Sequence, residues 1–159
     1  MKRYLCVISA LFLMMLFAGC GKNVWEMVSH SKEGAYKEVP IEEISADELI
    51  GKHKYSYHGS GQGSVKIAAK NGKPRVVGRG WNSDYLEDVG MERNRVWKDY
   101  GKLYITHNFH DHAYTWILEK AYCLEDGSLA LVGRATWPGG DYELVITLAD
   151  SKRCKIEIY

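Results

Sequence analysis

The amino-acid sequence predicts a mainly β fold: an antiparallel meander of eight or nine strands that closes as a small barrel, with one short N-terminal helix. Two observations carry this prediction. Apolar and polar residues alternate along many short segments, which is the period of a strand with one buried face. Tight-turn sequences separate these segments at short intervals, and closing such a sheet into a barrel removes its exposed edges.

The helix is predicted just before the first strand. Ser45 and Glu48 have the spacing of a capping box, in which each side chain satisfies a backbone N–H at the start of a helix. Leu49 and Ile50 supply apolar contacts, and Gly51 ends the helix.

The strands are predicted after Gly51, between turns such as Asn71-Gly72, whose residues tolerate the positive φ angles of a tight hairpin. Residues 84–95 are charged and lack alternation, so they are predicted to form a long loop. The alternating or apolar segments are 65–69, 75–81, 103–107, 114–118, 129–135, 142–148 and 154–158.

The N-terminal residues have the pattern of an export signal. Lys2 and Arg3 precede an apolar run over residues 4–18, which as a helix spans only about 22 Å and is short for a membrane crossing. Ala18, Gly19 and Cys20 follow. This site resembles the lipobox of bacterial lipoproteins, although Phe17 stands where that pattern usually has Leu.

The lipobox resemblance implies cleavage before Cys20, a thioether-linked diacylglycerol on Cys20 and an acyl chain such as palmitate on its amino group. Gly21 is not the Asp associated with inner-membrane retention, so the outer membrane, facing the periplasm, is expected in a diderm source. The alternatives are an uncleaved membrane anchor and an ordinary signal peptide that is cut elsewhere.

The predicted domains are a signal peptide (1–19), a lipid-anchored tether (20–44) and a single β-barrel-like domain (45–159). After processing, 19 basic and 20 acidic residues remain without a basic patch, so we expect no nucleic-acid partner. A short helix, then Gly51 to Tyr55, then a meander resembles a lipocalin-type barrel, but the Gly-x-Trp motif of that family is not met. A different small barrel or a sandwich would give much the same pattern.

Two cysteines remain besides Cys6, which leaves with the signal peptide, and the lipidated Cys20. In an oxidising compartment this even remainder, Cys123 and Cys154, predicts a disulfide bond. The meander raises an objection, because three strand spacings amount to about 14 Å and disulfide Cα separations stay below about 7 Å. The alternative is two buried thiols.

A candidate metal site lies at one predicted hairpin. With a loop over 108–111, His107 and His112 would be directly opposite one another, His110 would reach in from the loop, and Asp111 would be a fourth or supporting ligand. Such a set suits Zn²⁺ or Cu²⁺. The alternative, which we rank higher, is a hairpin tip that binds no metal and a protein without a cofactor.

The aromatic residues are the second candidate site. Trp116 and Tyr114 share a face of one predicted strand and would line a ligand cavity, although aromatic residues also simply fill small β cores. No nucleophile elbow and no carboxylate couple stands out, so no catalytic residue is assigned. We therefore expect a non-catalytic envelope binding domain for a small apolar or aromatic ligand. The alternative is a protein–protein interaction factor, favoured by a filled interior, and an enzyme using the histidines ranks last.

Overall fold

The computed structural model describes residues 37–58, 61–77, 94–109, 112–137 and 139–155, with the backbone alone described at 108, 109, 112, 113 and 137. Alternating sequence in these segments forms nine strands. They are β1 (Lys37–Val39), β2 (Gly51–Tyr57), β3 (Gly61–Lys70), β4 (Lys73–Val77), β5 (Val96–Asp99), β6 (Lys102–Phe109), β7 (His112–Cys123), β8 (Leu129–Trp137) and β9 (Gly140–Leu148).

The strands form one antiparallel sheet in the order β4-β3-β2-β9-β8-β7-β6-β5. Its two outer strands approach each other through the bridge between Arg75 and Arg95 and a 2.8 Å hydrogen bond from the Val76 N–H to the Asn94 carbonyl. The sheet is therefore a nearly closed barrel of eight strands, β2 to β9. This confirms the predicted antiparallel meander and barrel.

The short N-terminal helix was predicted wrongly, because the described residues contain 3₁₀ helices and no α-helix. After Ser45 the chain makes one 3₁₀ helix of four residues, Ala46–Leu49, and then enters β2 at Gly51. The expected contact of Glu48 is present, since its carboxylate accepts a 2.9 Å hydrogen bond from the Ser45 N–H. None of the described helices is long and apolar enough to cross a membrane.

One end of the barrel, here called the closed end, contains the beginning of β2 and the ends of β7 and β9. The 3₁₀ helices Ile41–Glu43 and Ala46–Leu49 contact β4, β5, β6 and β7 there. Ile41, Ile44 and Leu49 are buried members of the core. Burial of apolar surface stabilises the packing by about 25 cal/mol per Å². We call the segment that contains these two 3₁₀ helices the plug of the closed end.

Residues 37–44, placed in the predicted tether, belong to this packed structure. β1 pairs with the last residues of β7, and its Val39 is buried opposite Ala121. The described pairing between β6 and β7 ends at Leu118, so β1 occupies the edge of β7 that β6 leaves unpaired. The folded part of the chain thus begins no later than Lys37.

Cys123 and Cys154 lie at disulfide distance at the closed end, with their Sγ atoms 2.10 Å and their Cα atoms 5.1 Å apart. Residues 154–158 were predicted to begin a strand at Cys154, and that start is wrong. Cys154 ends a 3₁₀ helix, Lys152–Cys154, which returns the chain from β9 to the end of β7. The objection from strand spacing fails because it assumed a further strand.

Arg153 fixes this returning segment to the N-terminal plug. Its Nε and Nη2 atoms donate hydrogen bonds of 2.6 and 2.9 Å to the two carboxylate oxygens of Glu48, and Nη2 also donates to the Glu43 carbonyl at 2.6 Å. The Arg153 hydrogen bonds lower the pKa of Glu48 to about 2. Bidentate pairs of this geometry are among the stronger side-chain contacts, so both chain segments are held at the closed end.

A β-bulge between Leu118 and Lys120 re-aims β7 midway along its length. Gly133 of β8 lies opposite Leu118, where a Cβ atom would come within 1.8 Å of the Ile117 carbonyl oxygen. Only glycine allows the two backbones to approach this closely. The bulge lets both halves of β7, Trp116 and Leu118 before it and Ala121 and Cys123 after it, bury their side chains.

Candidate functional site

The open end of the barrel lies opposite the closed end, where β2, β6 and β8 finish and β3, β7 and β9 begin. Because side chains alternate between the two faces of a strand, one set of aromatic side chains points inward at this end. We call this set the aromatic mouth. It consists of Tyr55 and Tyr57 on β2, His107 on β6, Tyr114 and Trp116 on β7, and Tyr142 on β9.

The register brings these residues together from strands that are far apart in sequence. His107 is directly opposite Tyr114, and Trp116 is opposite Ala135, which is in turn opposite Tyr142. Tyr57 pairs with Leu144. Directly paired residues of antiparallel strands point to the same face, so all of these side chains share the barrel interior.

Trp116 forms the floor of the mouth and is 0% exposed. Its ring lies 4.9 Å from that of Tyr55 and 4.7 Å from that of His107, measured between centroids. Its indole Nε1–H donates a 3.1 Å hydrogen bond to the Tyr57 hydroxyl oxygen. Tilted and edge-on ring contacts at such distances are favourable, and together they close the interior beneath the mouth.

The walls of the mouth are less buried than its floor. Tyr57 lies 6.3 Å from Tyr142, while His107 stacks almost parallel on Tyr114 at 5.3 Å. Tyr55, Tyr57, Tyr114 and Tyr142 remain partly exposed, although their strand positions face inward. The four tyrosines of the mouth are therefore less completely buried than Trp116 and His107.

The mouth disfavours charge of either sign. Burial lowers the pKa of His107 to about 3 and raises the pKa values of Tyr55 and Tyr57. Removal from water is the largest cause of each shift, because it penalises imidazolium and tyrosinate alike. His107, Tyr55 and Tyr57 are therefore uncharged at neutral pH.

Gly63 explains how Tyr55 fits into the interior. It lies opposite Tyr55 on β3, and a Cβ atom there would come within 2.6 Å of the Tyr55 hydroxyl oxygen. The missing side chain leaves space for the phenol ring, which crosses to Trp116 three strands away in the sheet. The middle of the barrel is thus filled by side chains.

The hairpin between β6 and β7 has a different register from the predicted one. Phe109 pairs with His112, so the connection consists of residues 110 and 111, and His107 is opposite Tyr114 instead of His112. His110 and Asp111 lie outside the described residues, as does the side chain of His112. The part of the chain that is described contains no group of three potential metal ligands, and the zinc or copper site stays a prediction.

The tryptophan side chains of the described residues do not all face the interior. Trp116 and Tyr114 both face inward at the mouth, whereas Trp97 lies on the outer surface, stacked on Tyr104 at 5.1 Å and covered by the Arg95 guanidinium at 4.3 Å. Trp81 and the side chain of Trp137 lie outside the described residues.

Tyr55 and Tyr57 are mouth residues that were not predicted from the sequence. Both alternate with Lys54, Ser56 and His58 after the buried His53, so a period-two pattern was present to indicate their inward direction.

The described residues form a small antiparallel β-barrel, and comparisons with known proteins assign it to no family. No family model matches the chain. No curated protein and no solved structure matches it either.

Proposed function

We propose that this protein is a lipid-anchored lipoprotein of the cell envelope whose barrel is a non-catalytic binding domain. Its ligand contacts the aromatic mouth at the open end. Cys20 carries the lipid, and the outer membrane, facing the periplasm, is its location in a diderm source.

One observation supports the binding proposal: inward-facing residues differ in their exposure between the two ends of the barrel. At the closed end Leu103 and Leu129 are 0% exposed, and Leu49 of the plug is buried to the same extent. At the open end inward-facing tyrosines keep part of their surface in contact with solvent. A mostly aromatic surface with a few polar atoms is typical of the lining of ligand sites.

The binding proposal is tested by native mass spectrometry of the full lipoprotein, extracted from host membranes in mild detergent. We expect a small molecule to remain bound to the wild type and to be lost from Tyr142→Ala. Tyr104→Ala is the matched control, because it removes a tyrosine from the outer surface. Retention of the molecule by Tyr142→Ala, or its loss from Tyr104→Ala, would place the site elsewhere.

The anchor is tested separately. Cys20→Ala should abolish both incorporation of labelled palmitate and membrane association. Absence of palmitate from the wild type would refute the lipidation.

A protein partner is the second candidate, and the filled interior favours it. The Tyr55–Trp116 contact occupies the middle of the barrel, so a ligand would rest on the mouth and not deep inside. Tyrosine and tryptophan are also frequent in the centres of protein interfaces. A photocrosslinking residue at position 142 distinguishes the candidates, since only an interaction factor would give a covalent adduct of one defined protein.

A further inference from the structure

We infer that the aromatic mouth selects an uncharged, flat ring molecule that carries an oxygen able to accept a hydrogen bond from Tyr57. This inference rests on the proposed function and specifies the ligand class for that site.

The exclusion of charge follows from the residues that face the mouth. The described inward positions at the open end carry no formal charge, whereas the nearby charged residues Arg134, Asp141 and Glu143 belong to the outward alternation of β8 and β9. Burial disfavours the charged forms of a base and of an acid here, because it lowers the pKa of His107 and raises the pKa of Tyr57. The same loss of hydration would penalise a carboxylate or an ammonium group of a ligand.

The preference for a flat ring follows from the available faces. Tyr57 and Tyr142 are held 6.3 Å apart at an angle of 56°, and the parallel pair of His107 and Tyr114 forms another wall. Side chains in this arrangement offer both ring edges and ring faces. An aromatic ring makes offset or edge-to-face contacts with such surfaces, whereas a flexible acyl chain would lose conformational freedom without matching them.

The need for an oxygen acceptor follows from the hydrogen bond at the floor of the mouth. The Tyr57 oxygen accepts the indole proton of Trp116, which leaves the Tyr57 hydroxyl proton to be donated. Among the described residues no acceptor is paired with this proton. A hydroxyl or carbonyl oxygen on the ligand would take it, and a plain hydrocarbon would not.

The experiment uses the full lipoprotein in detergent and three naphthalene probes that share one ring system. Binding of 2-naphthol, naphthalene and 2-naphthalenesulfonate is measured by quenching of tryptophan fluorescence. The detergent alone, at the same concentration, supplies the blank for partitioning of each probe. We expect 2-naphthol to bind most tightly and the sulfonate to bind at least about tenfold more weakly.

The variant Tyr57→Phe isolates the hydrogen bond. It should weaken 2-naphthol by about fivefold and leave naphthalene unchanged, since naphthalene has no oxygen. Unchanged naphthalene binding also shows that the mouth is still folded. Tyr104→Phe, on the outer surface, is the matched control and should change neither probe.

The outcomes separate the two claims. The ligand class is wrong if the sulfonate binds as tightly as 2-naphthol and Tyr142→Ala removes it, or if Tyr57→Phe weakens both neutral probes equally, and the mouth then remains a binding site. If none of the three probes binds the wild type above the detergent blank, the proposed small-molecule site itself is wrong.

Discussion

His107 makes the barrel sensitive to acid, and its replacement by phenylalanine should reduce that sensitivity. Its side chain is 2% exposed and packs between Tyr114 and Trp116. Burial lowers its pKa to about 3 from an ordinary value of 6.5. The folded protein therefore keeps His107 neutral at a pH where the unfolded chain binds a proton.

The sign and size of the effect follow from proton linkage. Because the folded pKa is depressed, the stability is complete above about pH 6.5 and is lost as the pH falls towards the folded pKa. Each pH unit in this range costs about 1.4 kcal/mol. Between pH 7 and about pH 4.5, His107 alone should lower the free energy of unfolding by about 3 kcal/mol.

The measurement is urea-induced unfolding of wild type and His107→Phe at pH 7, about pH 5.5 and about pH 4.5. Phenylalanine keeps a flat ring between Tyr114 and Trp116 but cannot bind a proton. The variant should lose about 3 kcal/mol less than the wild type over this interval. Burial also lowers the pKa of His53, but that residue is present in both proteins and cancels in the comparison.

Tyr104→Phe is the matched control, because it changes a ring on the outer surface and leaves every histidine in place. It should unfold with a pH dependence close to that of the wild type. The reasoning is refuted if wild type and His107→Phe lose the same stability on acidification, whatever their stability at pH 7.

Three further changes test the packing of the barrel. Arg153→Lys removes the bidentate geometry with Glu48 and should cost about 1 kcal/mol, measured by thermal unfolding at neutral pH. Cys154→Ser opens a bond across 31 residues and should cost about 3–4 kcal/mol in chemical denaturation, whereas reductant should not destabilise the variant further. Gly133→Ala should cost more than about 3 kcal/mol, because its Cβ would overlap the backbone of β7. Gly127→Ala, with open space around it and a φ of 79°, should cost only about 1 kcal/mol.

The alternation of the sequence predicted which faces of β6 to β9 are buried, because a strand reverses its side chains at every residue. Leu103, Ile105 and Trp116 are fully buried, as this pattern indicates. The Asn71-Gly72 turn was equally readable, since its φ angles of 51° and 71° are those that this dipeptide tolerates.

The register of the β6–β7 hairpin could not be read in the same way. Opposing His107 with His112 or with Tyr114 differs by two residues, so both registers keep the same side chains inside. The backbone hydrogen bonds of Asn108 and Phe109 decide between them, and those residues continue the ladder to His112. Composition alone does not distinguish a two-residue connection from a four-residue one here.

The geometry of the disulfide and the position of the bulge could not be predicted from the sequence for a different reason. Cys154 reaches Cys123 through a turn at Asp150 and a 3₁₀ helix, and residues 154–158 alternate well enough to indicate a strand instead. The bulge beside Leu118 depends on contact with Gly133, a residue of the next strand. Local pattern does not contain such contacts between distant parts of the chain.

The barrel should tolerate circular permutation, because β4 and β5 are only weakly paired in the described residues. Neighbouring strands among β2 to β9 otherwise share ladders of four or more residue pairs, but β4 and β5 are joined in the described residues by a single bridge. At the closed end, Lys37 and Cys154 line the same recess, so the two ends of the described part of the chain are close in space. A short linker there, with the chain opened between β4 and β5, would give a circular permutant that retains the ladders of the described strands. The order of the strands along the chain is therefore one of at least two that the same barrel geometry allows.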